Sequence, residues 1–220
     1  MTNINVITRL LILSGVGLLL ACSQSSNEAP TSAPNIQAVQ APSAGAMGDA
    51  MGDPTAGQPP IPEGMVEIVL KDKLDGDLSG YCLDIVGGGP NVDPAGGLQS
   101  HTCYSYRGAL GADQAIDPNL LAGGIIKLAA YDVCATVDDG AAGMKIGLSA
   151  CDGSKAQSFV QGDLGTISPA VATKMCLTAG EETVRGRNGT SPHQIKTLEL
   201  QFCSADMAKY QEWRSRTKED

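Results

Sequence analysis

The sequence predicts an all-β head in which three similar units close on one another as a pseudo-threefold barrel capped by hairpins. Three observations lead there. Between residues 65 and 214 six cysteines fall into three intervals of 21, 17 and 27 residues: Cys82 to Cys103, Cys134 to Cys151 and Cys176 to Cys203. Each interval is followed by a Gln-x-apolar step, Gln114-Ala115-Ile116, Gln157-Ser158-Phe159 and Gln211-Glu212-Trp213, set 11, 6 and 8 residues beyond its second cysteine. Helical periodicity is absent from this stretch apart from a single turn at 205–210, while 27 Gly and 12 Pro punctuate the 220 residues. Short apolar runs between Gly/Asp turns, recurring as the first cysteines do at intervals of 52 and 42 residues, read as repeated β units. Three units that close on each other bury a shared core and leave no free strand edge.

Each unit opens with a strand-forming run, at 66–70, 123–130 and 165–173. The first cysteine then starts a short strand, as in Cys82-Leu83-Asp84-Ile85, Cys134-Ala135-Thr136-Val137 and Cys176-Leu177-Thr178-Ala179, and the second cysteine ends one. Six cysteines downstream of an export signal imply disulfides. They allow 15 pairings, and the repeated local context selects Cys82–Cys103, Cys134–Cys151 and Cys176–Cys203. With two Phe and one Trp in the chain the core is thin, so staples matter: closing a 15-residue loop contributes about 3 kcal/mol in the chain-entropy model. A metal site built from these cysteines would need a Cys-x-x-Cys spacing that the sequence lacks. Neither a metal nor a cofactor is expected.

The pattern Cys-Leu-Asp … Leu-Gln-x-x-x-Cys … Asp-Gln-x-apolar resembles the ricin B-type (R-type) lectin repeat. The resemblance covers residues 65–214, with repeats at about 65–117, 118–161 and 162–214, and the Gln-x-Trp is intact in the third. Ile116 and Phe159 stand where the other two repeats would carry Trp. The resemblance implies a β-trefoil with one shallow sugar pocket per repeat. In such a pocket an Asp two residues after the first cysteine accepts hydrogen bonds from sugar hydroxyls. A ring two residues before the second cysteine stacks on the sugar, and an Asn/Asp-Gln pair completes the site. In the first repeat this assigns Asp84 as hydroxyl acceptor, His101 to the ring position, Asp113 as second acceptor and Gln114 as an orienting amide or a brace for Asp84. Gln99 and Asn91 would line the rim, and the Gly87-Gly88-Gly89-Pro90 turn is open enough for a ligand to approach the backbone. The second repeat offers Thr136, Ser149 and Ala156 at these places and the third Thr178, Gln201 and Tyr210, so one site is expected.

Each of these residues also has a plainer reading. Asp84 can serve as a turn acceptor and His101 as a polar edge residue. Gln114, like Gln157 and Gln211, can be structural in all three repeats. Tyr104 and Tyr106 read either as core or as an aromatic rim, and His193 as a solvated residue of a turn-rich loop. No catalysis is expected. There is no Gly-x-Ser-x-Gly elbow, and Ser100 next to His101 would point to the opposite strand face. Asp84 and Asp113 as paired carboxylates would need a pocket that raises a pKa, which a shallow surface does not supply.

Residues 1–21 carry one charge, Arg9, and an apolar run at 10–20. That run is too short for a membrane-spanning helix of about 20 residues and fits a signal-peptide core. Leu19-Leu20-Ala21-Cys22 resembles the lipobox of bacterial lipoproteins, which implies cleavage before Cys22, acylation of its thiol (diacylglycerol and palmitate) and, from Ser23, sorting to the outer membrane. Residues 22–64 follow as a disordered linker: 29 of residues 23–64 are Ala, Pro, Ser, Gly or Gln, with no Lys, Arg or aromatic residue. Loss of the leader takes the net charge from −9 to −10, which excludes sequence-independent nucleic-acid binding as a function. The sequence as a whole reads as an exported, lipid-anchored envelope lipoprotein whose head binds a glycan without catalysis. The alternative is a trefoil deficient in sugar binding that serves as a protein–protein interaction or envelope structural module.

Overall fold

The structure, a computed structural model, describes residues 57–76, 79–107 and 110–217, all within one contact unit. The expected leader, the lipidated Cys22 and the linker as far as residue 56 lie outside the described residues. Lobe one holds β1 (Glu67–Leu70), β2 (Tyr81–Ile85) and β3 (Leu98–Thr102). A short helix, α1 (Pro118–Ala122), leads to lobe two, made of β4 (Lys127–Leu128), β5 (Val133–Thr136), β6 (Gly147–Ala150) and β7 (Phe159–Gln161). Lobe three holds β8 (Ile167–Pro169), β9 (Met175–Ala179), β10 (Val184–Arg185), β11 (Gln194–Lys196), β12 (Leu198–Phe202), the helix α2 (Ala208–Gln211) and β13 (Trp213–Arg216). Helix α1 goes beyond the sequence reading. Asp117 caps it, accepting the N–H groups of Asn119 and Leu120 at 2.9 and 3.4 Å, with Pro118 at its first position.

One hairpin register recurs three times. Cys82 faces His101, Cys134 faces Ser149 and Cys176 faces Gln201, so each first cysteine stands opposite the residue two before its partner. Disulfides Cys82–Cys103, Cys134–Cys151 and Cys176–Cys203 tie each hairpin within its own lobe, the pairing that the repeats imply. The lobes then close in a ring. β13 pairs with β1 along its whole length, from Glu67↔Arg216 to Leu70↔Trp213, and joins lobe three to lobe one. β7 pairs with β8 to join lobe two to lobe three. Ile116 bridges to both Val66 and Leu128, joining lobe one to lobe two. The fold is a β-trefoil.

The core follows the same symmetry. The residue after each first cysteine, Leu83, Ala135 and Leu177, is fully buried, and so are Ile116 and Trp213 of the Gln-x-apolar steps, with Phe159 nearly so. The Trp213 indole Nε1 donates to the Leu177 carbonyl at 3.0 Å, which satisfies its one buried polar atom. Phe159 and Trp213 donate their N–H groups to the carbonyls of Gly124 and Gly165 at 2.7 and 2.8 Å. Both glycines hold a left-handed φ (+81° and +85°), and a Cβ on either would fall on the carbonyl oxygen of that same aromatic residue.

Lobe three departs from the symmetry. Its cysteines enclose an extra hairpin, β10–β11, which leaves its own lobe and adds to lobe one through Ile195↔His101 and Lys196↔Ser100. The resulting sheet runs β10-β11-β3-β2-β1-β13. Lys196 locks the junction. Its buried ammonium reaches Asp75 Oδ2 (2.8 Å), Thr183 Oγ1 (2.6 Å) and the Glu181 carbonyl (2.9 Å), while the Tyr81 hydroxyl donates to the same Asp75 oxygen at 2.7 Å. Burial is the largest single influence on the Asp75 carboxyl and raises it, but the hydrogen bonds from Lys196, Tyr81 and Thr183 together outweigh it and hold the group at about 2.

Candidate functional site

The three glutamines do one job in three places. Gln114 Oε1 accepts the Tyr104 N–H (2.9 Å), Gln157 Oε1 that of Asp152 (2.8 Å) and Gln211 Oε1 that of Ser204 (3.0 Å), in each case the residue after the second cysteine. Their Nε2 atoms donate to the carbonyl before that cysteine, of Thr102 (3.1 Å), Ala150 (2.8 Å) and Phe202 (3.0 Å). Each Nε2 also reaches the side chain two residues after the first cysteine: Asp84 Oδ2 (2.7 Å), Thr136 Oγ1 (3.4 Å) or Thr178 Oγ1 (2.9 Å). The glutamine therefore pins the hairpin end to the strand that follows in every lobe. Lobe one differs in that its target is a carboxylate.

Asp84 sits on β2 with no solvent exposure. Its Oδ1 accepts from Gln99 Nε2 at 2.8 Å, directly across the hairpin, and its Oδ2 accepts from Gln114. Burial pushes the Asp84 carboxyl up to about 7, and the two amide donors pull against that rise. Asp113 is equally buried, and neither of its oxygens has a hydrogen-bond partner among the described residues. Burial and then the charge of Asp84 raise it to about 8, with Gln58 and His101 acting the other way. Gly111 makes room for it: a Cβ there would lie 2.5 Å from Asp113 Oδ1 and would strike the Tyr104 ring.

The structure brings most of the expected residues together and makes the site less open than a shallow pocket. His101 is almost fully buried, with Nδ1 at 2.8 Å from the Thr102 carbonyl and 4.0 Å from Asp84 Oδ2. Its ring lies 5.2 Å from Tyr104 and 5.3 Å from His193, and those two rings are 5.3 Å from each other. His193 is thus half-buried in an aromatic trio and not a solvated loop residue, because β11 carries it onto lobe one. Tyr104 resolves to packing within the same trio, whereas the side chain of Tyr106 is not described. Asn91 is exposed in a 3₁₀ turn, Gly89–Asn91, apart from the buried amides. The glycine turn before it is folded back on itself, since a Cβ on Gly87 would meet the Asn91 carbonyl oxygen.

Two residues outside the sequence reading belong here. Tyr131 has a buried hydroxyl without a hydrogen-bond partner among the described residues, raised to about 12 by burial, Asp113 and Asp84. Gln58, from the stretch read as linker, accepts the Ala112 N–H at 2.8 Å through Oε1. The sequence argument against paired-carboxylate chemistry assumed a shallow surface. The two carboxyls are in fact buried and raised. Among the described residues the group with metal-capable side chains is Glu67, Cys82 and Cys103, whose sulfurs are joined to each other and leave no thiolate for an ion. No helix there is long and apolar enough to cross a membrane.

No protein-family model and no curated protein matches the chain. Among solved structures it is similar to the agglutinin from Abrus precatorius, at 16% identity and a TM-score of 0.40, covering 72% of this chain and 47% of that one. It is also similar to the mdaA-1 domain, at 17% identity and 0.43, covering 75% and 97%. A third is the Vibrio vulnificus hemolysin/cytolysin β-trefoil lectin with N-acetyl-D-lactosamine bound, at 16% identity and 0.39, covering 69% and 94%. The chain spans about half the length of the agglutinin. The trefoil assignment itself stands on the closed ring of strand pairs and the repeated hairpin register.

Proposed function

We propose that the head is a non-catalytic carbohydrate-binding module with its site in lobe one, built around Asp84, Asp113, His101, Gln99 and Gln114, with Asn91 at its edge. One observation carries this reading. Lobe one alone keeps a carboxylate where the other lobes have Thr136 and Thr178, and beside it Asp113 holds two acceptor oxygens that no described residue uses. A pair of vicinal hydroxyls supplies the donors such oxygens lack, and the desolvated setting makes each such bond count for more than it would in water. Three intra-lobe disulfides fit an oxidising, exported setting. On this reading the lipobox-like Leu19–Cys22 segment tethers the head to the bacterial cell envelope, at the outer membrane, and residues 22–56 hold it clear of the lipid. Clustering on a membrane compensates a weak single site through avidity.

A glycan array probed with the protein tests the assignment. Binding that Asp113→Asn reduces about tenfold is expected, the loss of one ordinary hydrogen bond. Asp84→Ala should abolish it, at some expense of hairpin stability. No glycan signal, or a signal both substitutions leave unchanged, removes lobe one as a sugar site. The burial of Asp84 and His101 favours the other reading, a trefoil that works through protein contacts, and that reading would then stand.

A further inference from the structure

The residues just before β1 fill the site they precede. Gly57-Gln58-Pro59-Pro60 spans the two loops that flank the Asp84–Asp113 cluster. A Cβ on Gly57 would lie 3.3 Å from Pro90 Cβ in the turn after Asp84, and Gln58 holds Ala112, next to Asp113, at 2.8 Å. The Gln58 Nε2 is buried and has no hydrogen-bond partner among the described residues, and the same is true of both Asp113 oxygens. Donor and acceptors of matching chemistry thus share one buried space without a short, well-aligned bond between them. Hydrogen bonding from the Gln58 side chain is also among the influences that lower the Asp113 pKa, which places its carboxamide against that carboxyl. The two prolines that follow fix their own φ and bias the chain to an extended form, so the segment moves as a short stiff strap.

We propose that the lobe-one pocket is occupied in cis, with Gln58 as a displaceable internal ligand whose place an incoming glycan must take. The carboxamide covers one backbone donor (Ala112) and faces one acceptor (Asp113), the pair of partners that a hydroxyl satisfies as both acceptor and donor. Occupancy by a neutral amide that makes only a weak contact keeps water from Asp113, so the latch holds the pocket shut and is poised to leave. This regulation rests on the carbohydrate reading above, and the test separates the two.

Carbodiimide labelling of carboxyls, followed by peptide mass mapping, is run on the full chain in detergent. In the wild type Asp113 should react far more slowly than the exposed Asp152. Gln58→Ala should speed Asp113 labelling about tenfold, the effect of losing one ordinary hydrogen bond on a local opening, with Asp84 still unreactive as the sign that the lobe is folded. Gln58→Glu, which sets a carboxylate toward Asp113, should open the strap in the same way. N-acetyl-D-lactosamine, the probe, should slow Asp113 labelling again in the Gln58→Ala protein. Faster labelling that the sugar leaves unaffected keeps the latch and removes the probe as its displacing ligand. Asp113 labelling unchanged in both variants overturns the latch, whatever the sugar does. Asp84 becoming reactive in both also overturns it, since Gln58 would then be a folding contact and not a gate.

Discussion

Asp113→Asn should change the way in which stability depends on pH. Asp84 and Asp113 titrate near 3.8 when solvated and at about 7 and about 8 in the folded chain, burial being the main cause for both. Across roughly pH 4–8 the folded protein holds protons that the unfolded chain has released. The unfolded state then binds fewer protons, so the free energy of unfolding falls as pH rises. The contribution is complete below the solvated value and is lost as pH passes through the two raised values. With both carboxyls protonated in the native state the limiting slope is about 2.7 kcal/mol per pH unit, two protons at about 1.4 kcal/mol each. Local relaxation lowers this, and for a domain of about 5–15 kcal/mol total stability we expect a loss of about 2–4 kcal/mol between pH 5 and pH 8. Urea unfolding followed through the single, fully buried Trp213 measures it. The Asn variant loses one of the two shifts. Its slope should fall to at most about 1.4 kcal/mol per pH unit, and it should be the more stable protein at pH 8. Comparing the two proteins cancels the titratable groups that lie away from Asp113. Superimposable pH profiles, or wild-type stability that rises from pH 5 to pH 8, would refute the reasoning.

Two further outcomes follow from the shared architecture. Gln157→Ala and Gln211→Ala should each destabilise by about 1–3 kcal/mol in denaturant melts, because each leaves a backbone N–H and a carbonyl at a hairpin end without its side-chain partner; glycan binding should not change. Lys196→Met should cost about 2–4 kcal/mol, discounted from the usual range for a broken buried pair because Asp75 is partly exposed. Limited proteolysis should then cut first within residues 181–193, the hairpin that Lys196 ties down.

Much of the fold was legible because a trefoil repeats its chemistry. The Cys and Gln positions encode the same register three times, and Leu83, Ala135 and Leu177 fall inward because each follows a cysteine of fixed orientation. The site was legible only in part. Asp84, Gln99, Gln114 and Asp113 could be placed because they are set by spacing from the cysteines. Their burial could not, since what covers them comes from elsewhere: β11 from lobe three, Tyr131 from lobe two and Gln58 from before β1. The 27-residue interval between Cys176 and Cys203, longer than its counterparts, was the one visible trace of the β10–β11 hairpin. For α1 the Asp117-Pro118 pair was an available start signal. For Gln58 no local pattern exists, because an Ala-Pro-Gly-rich stretch carries no periodicity to read.

The pairing of β11 with β3 has a consequence for biogenesis. The ring neighbour of His101 resides at position 193, and the last strand, β13, seals against the first, β1. A chain whose C-terminal part is not yet available can close the Cys82–Cys103 hairpin long before lobe one acquires its outer wall. Lobe one is therefore the first to be made and the last to be finished, so its outer wall is complete only once the chain through β13 is available.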